Sequence, residues 1–148
     1  VIGVVFGAMV DRAGLVKVLF IFILLRMIGF VVLAYTEVYW QNDQYFKAMV
    51  LAEGIMSQFV TMTVIGLFMR LCLPQVAATQ FAVYMALANL TRSVGSGAVV
   101  PLGDLMDSSQ MFLVMAGLHL VFLLLLPLLN FEKHKRDNEK LLASLEKV

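Results

Sequence analysis

Four long apolar runs govern what this chain can become, at about residues 15–35, 45–73, 78–103 and 110–130. Each is long enough to cross a hydrocarbon layer of about 30 Å as a helix rising 1.5 Å per residue. Composition agrees: 61% of the 148 residues are hydrophobic and 14% charged, with a mean hydropathy of +0.92. A soluble domain is about half apolar and a quarter charged. The fold class expected is an all-α membrane protein, with residues 1–131 as a transmembrane bundle and 132–148 as a polar tail. The first ten residues, VIGVVFGAMV, are apolar but too short to span. They lack the basic start and cleavage site of a signal peptide, so they read as the end of a truncated helix in a longer protein.

Loop charge orients the spans. Arg12, Lys17, Arg70, Lys133, Lys135 and Arg136 fall in the first connection, the third and the tail. Glu37 and Asp43 (with Lys47 alone against them), then Asp104 and Asp107, fall in the second and fourth. By the positive-inside rule the first set, and with it the carboxyl terminus, is cytoplasmic. The net charge of +1 is spread over membrane edges and points to no nucleic acid. Cys72 is the single cysteine, and His119 and His134 lie far apart, so no metal pattern and no cofactor is expected. No catalytic triad or nucleotide loop is present either, and an enzyme is not expected.

The run from Ala77 to Asp104 carries Asn89, Arg92, Ser93 and Ser96 within an arc of about 100° on a helix. Ala88, Thr91, Gly95 and Ala98 cluster opposite, a small-residue side suited to close helix approach. An arginine in hydrocarbon costs roughly 3 kcal/mol or more, so it normally faces a partner or a wet cavity. Glu53, on the preceding run, is the candidate for proton or ion coupling, because low dielectric disfavours a charged carboxyl. It lies roughly 12 Å from the outer edge, and Arg92 roughly 20 Å from the inner one, so the two match in depth and could pair. Ser57 and Thr61 fall within about 80° of Glu53 and suggest a polar pathway face. A pair that only locks two helices is the competing interpretation. Arg26 either snorkels to the cytoplasmic edge or reaches the cavity. His119 is expected to serve helix packing, Asn89 and Gln58 either a substrate or a neighbouring helix. In the tail, Leu141, Leu142, Leu145 and Val148 at helical spacing suit an amphipathic surface helix or a solvated end.

Two segments resemble known families. Gly7-x3-Asp11-Arg12-x-Gly14, followed by Lys17, resembles the G-x3-D-R-x-G-R-R cytoplasmic loop of the major facilitator superfamily, with the basic half thinned. Met69-Arg70-Leu71-Cys72, then Ala78-Thr79-Gln80-Phe81-Ala82 and Arg92, resembles the AmpG-type muropeptide permeases and related peptide/acetyl-coenzyme A transporters of that superfamily. The departures are Thr91 before Arg92, where glycine is common, and the ending Val100-Pro101-Leu102-Gly103. The resemblance implies the carboxyl-terminal part of a major facilitator fold, with four full spans plus the end of a fifth. It also implies alternating access and proton-coupled import of muropeptide-type cell-wall fragments across the bacterial inner membrane. The partners would be the lipid bilayer, a small solute, protons and a missing amino-terminal half. The alternatives are a transporter of another solute (acetyl-coenzyme A, a sugar, a drug) or a helical membrane assembly protein that moves nothing.

Overall fold

A computed structural model describes residues 2–128 and 136. Five α-helices follow one another: α1 (Ile2–Ala13), α2 (Leu15–Tyr35), α3 (Asp43–Leu71), α4 (Ala77–Gly103) and α5 (Ser108–Leu125). Short 3-10 turns at Glu37–Tyr39, Pro74–Val76 and Leu126–Leu128 sit at the ends of spans. Among the described residues there is no strand. The expected surface helix in the tail lies outside the described residues, as do the last residues of the fourth apolar run.

Local chemistry sets the helix ends. The Asn42 side chain accepts hydrogen bonds from the Gln44 and Tyr45 amides (3.1 and 3.3 Å), satisfying donors that the first turn of α3 leaves open. Lys47 adds a 2.6 Å contact to Asp43 one turn back. Gln80 Oε1 accepts from the Leu73 amide at 2.7 Å and so ties the turn between α3 and α4 to the first turn of α4. At the start of α5, Gln110 Oε1 accepts from the Asp107 amide at 3.3 Å. Helix α4 runs through Pro101 and stops at Gly103; a proline this near the end removes a single intrahelical donor.

The first connection differs from expectation. Gly7, Asp11 and Arg12 belong to the last turns of α1 and form no loop, because the helix ladder continues to Gly14, whose amide bonds the Val10 carbonyl at 2.9 Å. Gly14 alone breaks the ladder, at φ 83° and ψ 145°. That backbone region is essentially restricted to glycine, and α2 starts at the next residue.

Helix α2 is the centre of the packing. Val18 and Phe22 bury against α1 and the Met56–Phe59–Val60 side of α3, with Phe22 and Phe59 stacked at 4.8 Å. Leu19 and Ile23 meet Leu123 and Leu126, while Phe30 and Leu33 meet Ala116. Early α2 thus faces late α5, and late α2 faces early α5, which makes the two antiparallel. Near the start of α2, Leu15 lies over Gly66 of α3, so α2 and α3 are antiparallel too. This places Arg12, Lys17 and Arg70 at one end of the bundle.

Three helices are long and apolar enough to cross a membrane: Leu15–Tyr35, Asp43–Leu71 and Ser108–Leu128. Helix α4 has the length, with 27 residues, but its polar stripe keeps it out of that set. It also has no buried residue. It leans on the bundle near its ends, where Tyr84 meets Phe68 at 5.2 Å and Gly103 meets Met111.

Candidate functional site

Two ionic side chains meet inside the paired apolar helices α2 and α3. Arg26 Nη2 donates to Glu53 Oε1. Glu53 therefore pairs with Arg26, and the expected match with Arg92 does not form. Helical arithmetic explains the outcome. Arg26 lies about nine residues before the end of α2 and Glu53 about ten after the start of α3, roughly 14 and 15 Å down from a shared turn. Measured from that turn, two antiparallel neighbours bring the pair to one level. Arg92 stands instead on the exposed α4, and no ion pair involves it among the described residues.

The pair is mostly withdrawn from solvent: the side chains are 19% and 32% exposed. Its contact is monodentate, although a guanidinium can engage a carboxylate through two parallel N–H bonds. Arg26 Nε is buried without a hydrogen-bond partner. Below it, the guanidinium carbon lies 5.4 Å from the centre of the Phe30 ring, within cation–π range.

The pair forms part of the wall of a cleft of about 270 Å³ between α2 and α3. The remaining wall is apolar: Leu25, Ile28, Gly29, Val32 and Leu33 from α2, with Met49, Ala52 and Met56 from α3. Leu25, Ile28 and Val32 are themselves exposed, so the cleft is open along that side. A Cβ at Gly29 would meet nothing within 4 Å beyond its own helix backbone, which leaves room on the α2 wall.

The other expected pathway residues lie elsewhere. Met49 and Met56 fall about 40° and 60° to one side of Glu53 around α3, whereas Ser57 and Thr61 fall about 40° and 80° to the other. The cleft takes the first side. Ser57 and Thr61 are half-buried, and the Thr61 hydroxyl donates to the Ser57 carbonyl at 3.0 Å. Asn89, Arg92, Ser93 and Ser96 are all exposed on α4, and the Ser96 hydroxyl donates to the Arg92 carbonyl at 2.9 Å. The polar stripe of α4 and the Arg26–Glu53 pair thus belong to separate surfaces. Of the first-connection motif, Arg12 is exposed and Gly7 and Gly14 are half-buried; the Asp11 side chain lies outside what is described.

Aromatic rings link the pair to the α2–α3 turn. Phe30 stacks on Phe112 at 6.1 Å, and Trp40 packs edge-on to Phe112 at 5.5 Å. His119 closes the group, edge-on to Phe30 at 5.2 Å, with Nδ1 2.7 Å from the Met115 carbonyl. A carbonyl only accepts, so Nδ1 carries the proton. These contacts match the packing role expected of His119. At the turn itself, Tyr45 donates to Thr36 Oγ1 at 2.7 Å.

Comparisons with family models, curated proteins and solved structures returned no match.

Proposed function

We propose that the chain is part of a secondary active transporter of the major facilitator type, working by alternating access, with Glu53 as its proton-coupling group. The observation that carries this is the Arg26–Glu53 pair set between two membrane-length helices in an apolar cleft. Ionisable groups at membrane depth are expensive, and where they persist they commonly serve ion or proton pathways. Two states of different proton affinity are what a coupled transporter requires. The making and breaking of the Arg26–Glu53 contact at the wall of the cleft is where two such states would differ. The resemblance in the α3–α4 region supplies muropeptide-type fragments as the solute class and the bacterial inner membrane as the location. The charges on Arg12, Lys17 and Arg70 favour a cytoplasmic carboxyl terminus.

The test is pH-gradient-driven uptake of an anhydro-muropeptide into vesicles holding the full-length protein. Glu53→Gln abolishes accumulation against a gradient while the protein remains folded and inserted. Unchanged proton-driven accumulation by that variant would remove Glu53 from the coupling step.

A second interpretation is a helical assembly protein that transports nothing. The bare surface of α4 favours it, since a helix with no buried residue calls for neighbours. In that case no solute responds to a pH gradient in either form of the protein.

A further inference from the structure

Three helices of membrane length fix the course of α4. Helices α3 and α5 each run antiparallel to α2, so they run in the same direction. Between the end of α3 and the start of α5 the chain must therefore return across the bundle. Residues 72–76 and 104–107 are short turns, so α4 alone makes that crossing. Its two ends agree: Gln80 is tied to the turn after α3, and Gly103 lies against Met111 in the first turn of α5. Wherever α2, α3 and α5 span a bilayer, α4 spans it too, although its composition alone does not say so.

This course sets Arg92 at mid-depth, about eleven residues from Gly103 and about fifteen from Ala77, or roughly 16 and 22 Å along the helix. A guanidinium there is costly to leave unpaired. Residues 89–98 are all exposed, close to three turns, and the Arg92 side chain has no ion pair or hydrogen bond among the described residues. The described carboxylates do not reach it. Asp11 lies at the end of the bundle that holds Arg12 and Arg70, and Glu37, Asp43, Asp104 and Asp107 lie at the opposite turns. Glu53 is already held by Arg26. Around α4, Asn89 and Ser96 fall within about 60° of Arg92, whereas Leu87, Leu90 and Val94 fall about 140–160° away. Lipid covers the second side at no cost and the first only at the expense of its polar groups.

We propose that the Arg92 side of α4 docks a membrane-spanning helix from outside these 148 residues, one that carries an Asp or Glu at the level of Arg92. Charge selects this occupant. In a symmetric contact, a second copy would set Arg92 against another Arg92, and its own Glu53 is taken by Arg26. A wholly apolar helix would leave the guanidinium as bare as lipid does. A carboxylate satisfies it, and Asn89 and Ser96, about one turn to either side, can bond polar groups across the same seam. The inference rests on the membrane course of the helices and not on transport.

The experiment is photocrosslinking of the full-length protein in native membranes. Benzoylphenylalanine replaces Met85 or Val99, each about two turns from Arg92 and within about 20° of it, or Leu90 as the lipid-side control. The crosslinked peptides are then sequenced. The expected result is that positions 85 and 99 capture one apolar segment from outside these residues, with an Asp or Glu between the two points of capture, and that position 90 does not. Arg92→Leu lowers the yield at least about tenfold, while Arg92→Lys keeps most of it. Arg92→Glu loses the crosslink, and replacing the partner's carboxylate with arginine restores it. Capture of a segment without a carboxylate, of a second copy, of this chain's own residues or of lipid alone overturns the proposal. So does an unchanged yield in Arg92→Leu. If Arg92→Leu fails to insert, the captured segment and the charge swap decide the matter without it. Vesicle uptake tests the transport reading separately, and its failure would leave this interface standing.

Discussion

At the scale of single residues, the Arg26–Glu53 pair is the most consequential contact in the chain. Breaking a buried ion pair from one side typically costs about 3–5 kcal/mol, whereas replacing both partners with apolar groups is often neutral. Glu53 is about a third exposed, so Arg26→Ala should cost less, about 2 kcal/mol, in a denaturation series in detergent. Arg26→Met combined with Glu53→Met should recover most of that loss. A double variant as unstable as the single one would show that packing by the Arg26 stem, and not charge, holds the seam. Both members were legible as unusual residues in the sequence, since a charge in a long apolar run stands out. Their partnership was legible only by counting from the turn at residues 36–42. Depth counted from opposite membrane edges matched Glu53 with Arg92 instead, because depth alone says nothing about which helices are neighbours.

At the scale of elements, helix extent followed closely from apolar run length, and the differences trace to particular side chains. Asn42 starts α3 earlier than the apolar pattern does, because its side chain caps two amides. Gly7, Asp11 and Arg12 look like loop residues, yet an α-helix tolerates all three near its end, and Gly14 is the true break. Gly14→Ala should therefore cost about 1–3 kcal/mol through strain at that φ and ψ, and thermal unfolding of the purified protein measures it. The α2–α3 seam gives a second prediction. A Cβ at Gly66 would sit 3.3 Å from Leu15 Cδ1. Gly66→Leu should force these helices apart at a cost of about 1–3 kcal/mol, whereas a leucine at Gly29, with nothing within 4 Å, should meet little resistance. Equal destabilisation by the two leucines would mean that helix propensity, and not contact between α2 and α3, governs both sites.

At the scale of the whole molecule, the bundle is uneven. Val18 and Leu19 on α2 are 1% exposed, whereas Leu90 and Val94 on α4 are 59% and 64% exposed. Sparse tertiary contact lowers the free energy of local opening. Hydrogen exchange on this chain in detergent should show amides around Leu90 and Val94 exchanging at least about a hundredfold faster than those around Val18 and Leu19. Similar protection in both helices would mean that α4 finds cover in the assembled protein. The sequence declared the two faces of α4, one polar and one small, but a face does not name what it meets. Helix content and the antiparallel course are written into local chemistry and short turns; the position of α4 depends on contacts that no local pattern encodes.

Trp40 is the single tryptophan among the 148 residues. Its indole nitrogen is buried without a partner, and its ring joins Phe112, then Phe30, then the guanidinium of Arg26. The protein thus carries its own fluorophore, wired by three contacts to the Arg26–Glu53 pair. Any event that withdraws Arg26 from Phe30 should alter the emission of one identifiable residue. The surroundings of this pair can therefore be followed without a label.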